Sequence, residues 1–201
     1  MTRLLGLLTA LVLVATLATT LGSGPAGATT GDSSASGAQA RRDVPSREQW
    51  LADVKAAMQG SRGYVKQRVA SAAPGEMLAI NFDIDNTVIA TYYDGGGPIP
   101  KMLRFARFLE RQQVAVLFNT GRVATMRAST RRQLERNGFP VDGLCLRGKG
   151  KQLAYGKQRC RDLFIGQGYT LIANVGNNDT DFTGDGYERA YRLPNYGGEL
   201  G

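Results

Sequence analysis

Two apolar rhythms take turns along this chain. Met77 to Phe82, Val114 to Phe118, Gly143 to Leu146 and Thr170 to Val175 are short, nearly continuous apolar runs, which is how strands covered on both faces of a parallel sheet read. Between them the apolar residues fall at helical spacing. Met102, Phe105, Ala106 and Leu109 place a helix over Pro100 to Gln113, a second runs from Val123 to about Arg136 and stops at Asn137-Gly138, and a third covers about Gln158 to Ile165. Ahead of the first run, Ser46 and Gln49 make a Ser-x-x-Gln capping box, and Trp50, Leu51, Val54, Ala57 and Met58 continue at helical intervals. A helix is therefore expected from Ser46, broken or kinked at Gly60 and Gly63, with a second piece over Tyr64 to Ala72 closed by Pro74-Gly75. Asp94 to Pro98 reads as a glycine-rich loop and Arg189 to Leu193 as an edge strand. Strand alternating with helix predicts a three-layer α/β fold, with a parallel central sheet and additional N-terminal helices.

In sheets of this kind ligands bind beyond the carboxyl ends of the strands. The polar clusters Asp83 to Thr87, Asn119 to Arg122 and Gly176 to Asp181 each follow a predicted strand directly, so three separate segments are expected to meet at one sheet edge. Asp83 and Asp85, one residue apart, point to the same side of an extended backbone, and their repulsion is relieved by a cation between them. Mg²⁺, which takes few protein carboxylates together with water and phosphate oxygen, suits such a pair. From residue pattern alone, Asp-Asn-Thr is equally good turn chemistry.

The N-terminal pattern separates the fold from its surroundings. Arg3, an apolar run from Leu4 to Leu21 diluted by Thr and Gly, and the closing Ala26-Gly27-Ala28 have the form of a secretory signal peptide over residues 1–28 rather than a membrane anchor. Residues 29–43, built of small and polar types, read as a flexible linker, which leaves 44–201 as the folded domain of an exported protein. At 42% apolar residues over its full length, the chain has enough to bury a core once the leader is removed. Lys and Arg number 25 against 17 Asp and Glu, a formal charge of +8, and loss of the leader removes only Arg3 and lowers it to +7. A basic product suits anionic partners: phosphate esters, nucleic acid or acidic envelope polymers. Export places Cys145 and Cys160 where a disulfide persists if they pair. The chain has no His, which removes the usual general base and the commonest zinc ligand, so any metal here is held by oxygen.

Phe82-Asp83-Ile84-Asp85-Asn86-Thr87 resembles motif I of the haloacid-dehalogenase (HAD) superfamily phosphatases. Phe118-Asn119-Thr120-Gly121-Arg122 is similar to motif II, Tyr155-Gly156-Lys157 to the lysine-bearing motif III, and Gly176-Asn177 to Asp181-Phe182 to motif IV. The resemblance spans about residues 77 to 184 and is nearest to the secreted acid phosphatases, the class B, plant acid phosphatase and vegetative storage protein group. It implies the Rossmann-like HAD fold and a secreted, Mg²⁺-dependent phosphomonoesterase acting on phosphorylated small molecules. By the same resemblance Asp83 is the nucleophile that forms an aspartyl-phosphate and Asp85 the general acid and base. Thr120, Gly121 and Lys157 bind the phosphoryl group, and Asp83, Asp85, Asn177 and Asp181 hold the metal.

Lys149 and Lys151 compete for the role given to Lys157, which the spacing to the following strand favours. Many relatives carry Gly-Asp where this chain has Gly176-Asn177, so an amide oxygen replaces a carboxylate and weaker metal binding is expected; lipin-type phosphatidate phosphatases share the Gly-Asn. Val88 to Ile99 and Gly138 to Gly150 are too short to hold the cap domain usual in the superfamily, which leaves an open site with Tyr92 and Tyr93 as candidate stacking groups. The competing readings are a phosphatidate or nucleic-acid-end phosphatase, and a catalytically weak binding or storage protein on the same scaffold.

Overall fold

Residues 44–200 are described by a computed structural model; the expected leader and linker lie outside them. Helix α1 (Arg47–Ala57) starts where its cap requires, with the Gln49 backbone N–H donating to Ser46 Oγ at 3.2 Å. Only that half of the capping box forms, because the Gln49 amide turns to Asp53 instead, at 2.8 Å. Gly60, at φ 75°, breaks the chain before α2 (Ser61–Ala70), but Gly63 lies inside α2 and interrupts nothing.

Strand β1 (Met77–Phe82) leads into the acidic segment, after which the expected glycine-rich loop is an ordered turn. There β2 (Ile89–Ala90) pairs with β3 (Gly97–Pro98) around the short helix α3 (Thr91–Asp94). Helix α4 (Pro100–Arg111), β4 (Ala115–Val123), α5 (Arg127–Arg136) and β5 (Gly143–Arg147) follow the expected alternation. Helix α6 (Leu153–Gly166) begins five residues earlier than its apolar spacing indicated, and β6 (Tyr169–Gly176), α7 (Asp179–Phe182) and β7 (Ala190–Arg192) complete the chain.

The five sheet strands are all parallel, in the order β5-β4-β1-β6-β7, so β1 is central with β4 and β6 on either side. Strand alternation divides the apolar residues between two cores. Ile80, Phe82, Val116 and Phe118 face α1, α2, α4 and α5, whereas Ala79, Leu117 and Cys145 face α6 with its Cys160 and Phe164. The same alternation carries Asn81, Asp83 and Asn119 onto the α6 side, and this parity brings the nucleophile candidate to the lysine of α6. No helix of the described residues is long and apolar enough to cross a membrane.

Arg68 of α2 ties the central strand of the sheet to its β7 edge. Its guanidinium donates to Glu76, just before β1, at 3.1 Å and to Glu188, just before β7, at 3.0 Å. The Arg68 hydrogen bonds, with the Ala73 backbone N–H, pull the Glu76 carboxyl down from 4.5 to about 2. A depressed carboxyl pKa stabilises the fold above 4.5, and that stabilisation is lost as pH falls through about 2. Glu76→Gln is accordingly expected to melt below the wild type at neutral pH, with the two melting curves converging as the pH is lowered from 4.5 to 2. A gap that persists unchanged at pH 2 would assign the loss to packing instead.

Candidate active site

Past the ends of β1, β4 and β6 lies a cleft of about 150 Å³. Asp83, Asp85, Thr120, Gly121, Arg122, Lys157 and Asp181 line it, so all three strand-end segments contribute. Asn177 sits just behind the wall, 5% exposed, and contacts Asp83 through Thr87.

Asp83 is held by backbone and side chain together. Its N–H donates to the Val175 carbonyl of β6 at 2.8 Å, Lys157 Nζ donates to Oδ1, and the Thr87 hydroxyl reaches Oδ2 at 3.1 Å. Lys157 is anchored in turn by the Asn119 carbonyl at 2.8 Å and lies 2.7 Å from Asp181 Oδ1 as an ion pair. Asn119 closes the loop by donating its amide to the Lys157 carbonyl at 2.8 Å. Lys149 and Lys151 are exposed, so among the three lysines only Lys157 enters the cleft.

Charge in this buried group does not balance. Asp83 and Asp181 share one ammonium, and Asp85 adds a third carboxylate that Arg122 offsets. Burial pushes the Asp83 carboxyl up; Lys157 opposes this and Asp181 reinforces it, leaving Asp83 raised to about 6. Burial alone would lower Lys157, but the two aspartates outweigh it and hold the ammonium above the usual lysine range.

Asp85 occupies a different environment. Arg122 grips it with a two-pronged ion pair, Nη2 to Oδ1 at 2.7 Å and Nε to Oδ2 at 2.9 Å, and Thr91 donates to Oδ1 at 2.7 Å. Gln133 braces Arg122 from behind at 2.8 Å. Burial raises the Asp85 carboxyl, but the hydrogen bonds and charge of Arg122 and the Thr91 hydroxyl more than compensate and hold it below the usual carboxylate range.

Asp181 is placed to support rather than to reach out. Its Oδ2 accepts the N–H groups of Asn177 and Asn178 at 3.1 and 3.0 Å, inside the capping box of α7. Gly176 permits this turn, because a Cβ there would come within 2.6 Å of the Asp181 carboxyl carbon. Asp179, fully exposed and 3.5 Å from Arg192, is a surface loop acid.

A divalent cation fits this donor chemistry in two respects. The cluster carries excess negative charge, and the Thr87 hydroxyl faces both Asp83 Oδ2 and Asn177 Oδ1 but has one proton to give. One of those oxygens is therefore always short of that donor, and the Asn177 amide nitrogen is buried without a partner. Among the described residues no three His, Cys, Asp or Glu side chains form a ready-made metal cluster. The charge and the oxygen left without the Thr87 proton suit a cation, while Asp181 and Asp85 are engaged with Lys157 and Arg122.

Several supporting groups carried no assigned role in the sequence. Arg122 was visible within Asn119-Thr120-Gly121-Arg122, yet its partner Asp85 is distant in sequence. Asn81 and Asn174 are polar residues inside apolar strands; they bond to each other, and Asn174 donates to the Asp181 carbonyl at 2.8 Å. Arg161 of α6 is fully buried and donates to the carbonyls of Asp181 and Asp185, both at 2.8 Å, which fixes the loop after β6 without any counter-charge. Tyr93 is a packing residue: it stacks on Trp50 at 4.8 Å and donates to the Pro45 carbonyl at 2.6 Å, while Tyr92 stays half exposed.

Cys145 and Cys160 are joined, bolting β5 to α6 one helical turn beyond Lys157. Closing a loop of this length stabilises by about 3 kcal/mol on the chain-entropy account. The Cys145→Ala, Cys160→Ala protein is expected to melt lower by that order. Under reductant, wild-type turnover should fall at temperatures where the far-UV spectrum is still native. Unchanged turnover after complete reduction would show that α6 needs no bolt to place Lys157.

Residues 94–199, more than half of the chain, match the family model described as HAD superfamily, subfamily IIIB (acid phosphatase). The match starts after the Asp83 segment, so it takes in Thr120, Lys157, Asn177 and Asp181 but not Asp83 or Asp85. No curated protein matches the chain. Among solved structures, the class C acid phosphatase from Bacillus anthracis superposes with a TM-score of 0.62 at 18% identity, covering 75% of this chain and 79% of that one. A second structure of that enzyme, with tungstate bound, gives the same values. A chain of a Pnkp1/Rnl/Hen1 complex aligns with a TM-score of 0.51 at 16% identity, over 62% of this chain and 47% of its own length. At these identities the structural likeness speaks for the fold.

Proposed function

The chain belongs to the acid phosphatase subfamily IIIB of the HAD superfamily and is a phosphate monoester hydrolase of that type, and from this premise we propose an exported, Mg²⁺-dependent phosphomonoesterase that works through an aspartyl-phosphate on Asp83. The observation that carries the reading is the buried Lys157–Asp83 ion pair at the end of the central strand, with Thr120 in the same cleft. Export rests on the leader-like pattern of residues 1–28.

In the first half-reaction an Asp83 carboxylate oxygen attacks phosphorus while the bond from phosphorus to the ester oxygen breaks. Lys157 keeps the attacking group ionised against the pull of burial and offsets charge on the phosphoryl oxygens. Thr120, whose Oγ accepts the Arg122 N–H at 3.1 Å, keeps its hydroxyl proton for a phosphoryl oxygen. Asp85 gives a proton to the leaving alkoxide, and in the second half-reaction takes one from the water that attacks the aspartyl-phosphate. Both Asp85 oxygens are gripped by Arg122, so one prong of that fork opens before Asp85 carries a proton. Mg²⁺, held by Asp83, Asp85 and Asn177 with Asp181 bracing the loop behind, would supply charge neutralisation at the phosphoryl group.

The test is turnover of a generic aryl phosphate by the purified protein, with chelator and then with Mg²⁺ restored. Activity should vanish on chelation and return with the ion, and Asn177→Asp should lower the Mg²⁺ concentration needed for half-maximal rate. Full activity in excess chelator would overturn the metal-dependent reading.

A further inference from the structure

A cavity of about 600 Å³ is separate from the catalytic cleft and has four times its roughly 150 Å³ volume. It opens between α1, α2 and the start of α4, and the two hollows have no lining residue in common. Lys55, Arg62 and Lys101 project into it, and none of its lining residues is acidic.

Six of the described cations pair with carboxylates: Arg47 on Asp94, Arg68 on Glu76 and Glu188, Arg122 on Asp85, Arg131 on Glu135, Lys157 on Asp83 and Asp181, and Arg192 on Asp179. Lys55, Arg62, Lys101 and the adjacent Arg104 enter no ion pair among the described residues. Arg62 is also held in place, its guanidinium 5.2 Å over the Phe108 ring and donating to the Arg104 carbonyl at 3.2 Å. Partial burial, followed by the charges of Arg62, Arg104 and Lys55, keeps Lys101 below the usual lysine range. Like charges gathered around one hollow raise their mutual energy, and a bound anion relieves it. The floor runs over Gly60 and Gly63, where a Cβ would meet nothing within 4 Å, so a ligand can approach the backbone itself.

The lining narrows the ligand class. A single-stranded nucleic acid needs aromatic faces for its bases, and no lining residue is aromatic. A lipid surface needs exposed large apolar side chains, and Met77, Tyr92, Met126, Leu153, Tyr155, Leu163 and Ile165, which are exposed, all lie outside the lining. The volume exceeds the catalytic cleft's, which already has room for a phosphoryl group. We propose that the cavity between α1, α2 and α4 is a second anion site that binds an oligoanion bearing several phosphate groups, through Lys55, Arg62 and Lys101.

The test uses inorganic tripolyphosphate as the probe, titrated calorimetrically into the full-length Asp83→Asn protein at low and moderate salt. Adding Arg62→Gln and Lys101→Gln together should weaken one binding event by about tenfold and flatten its salt dependence. In the wild-type background the same pair of changes should leave aryl phosphate turnover and the melting temperature as they were. If the pair proves unstable, Lys55→Gln in the last turn of α1 serves the same purpose with a smaller loss. Identical tripolyphosphate binding with and without the glutamines, or binding that Lys157→Met alone abolishes, would confine anions to the catalytic cleft and overturn the proposal. A base-containing oligonucleotide or an anionic vesicle that outcompetes tripolyphosphate at this site would overturn the choice of ligand. The readout is binding, so it stands or falls apart from the catalytic reading.

Discussion

Replacing Lys157 by methionine is expected to lower kcat about 10³-fold and, as a separate effect, to destabilise the metal-free protein by about 3–5 kcal/mol. The two losses share an origin. The Lys157 side chain is 4% exposed and its ammonium stands between Asp83, Asp181 and the Asn119 carbonyl. Methionine fills similar space but leaves two buried carboxylates facing each other with no cation, which is far costlier than losing an exposed pair. Kinetics with a small aryl phosphate would read the first loss, and thermal melts in chelator the second. Excess Mg²⁺ should recover part of the stability but not the rate, because a cation can balance charge in the cleft without occupying the position from which Lys157 meets the phosphoryl group. Lys149→Met and Lys151→Met, on exposed residues, should turn over as the wild type does. If instead one of those two abolishes turnover while Lys157→Met retains it, the phosphoryl-binding lysine has been misassigned.

The sequence exposed the strands and strand ends far better than the loops. Met77–Phe82 is the strand that its apolar run predicts, and the three polar clusters meet because β1 lies between β4 and β6. The start of α6 was hidden by Gly156, which looks like a helix breaker. It is tolerated because the Arg147 chain packs where a Cβ would sit, with Cγ only 2.8 Å from that position. Arg122 was legible as a residue and illegible as a partner, since nothing local ties it to Asp85 across 37 positions of sequence. Arg161 gave no signal at all: an arginine satisfied by carbonyls has no acidic counterpart to search for. The expected metal ligands divide in the same way. Asn177 keeps a buried amide nitrogen without a partner and Asp83 shares the Thr87 hydroxyl with it, whereas Asp181 spends its oxygens on Lys157 and two backbone N–H groups.

Changing Asp83 to Asn is expected to abolish turnover, by about 10⁴-fold or more, while the protein folds and gains stability at neutral pH in the presence of chelator. An amide of the same shape can accept from Lys157 with its one oxygen and turn its NH2 to the Thr87 hydroxyl oxygen, but cannot attack phosphorus. The stability gain follows from the direction in which Asp83 is shifted. Its pKa rises from 3.8 to about 6 because burial penalises the charge and Asp181 repels it. A carboxyl raised on folding favours the native state fully below 3.8, and that advantage drains away as pH climbs through about 6. The wild type should therefore lose stability across that window, and Asp83→Asn, with nothing to titrate there, should not. Melting temperatures measured from pH 4 to 7 would show the variant pulling ahead as the pH rises and holding its lead above 6, the behaviour of a group kept for chemistry at the expense of the fold. Turnover that survives the substitution would remove Asp83 as nucleophile, and a variant less stable than the wild type at pH 7 would mean that the Lys157 ion pair outweighs the cost of burying the charge.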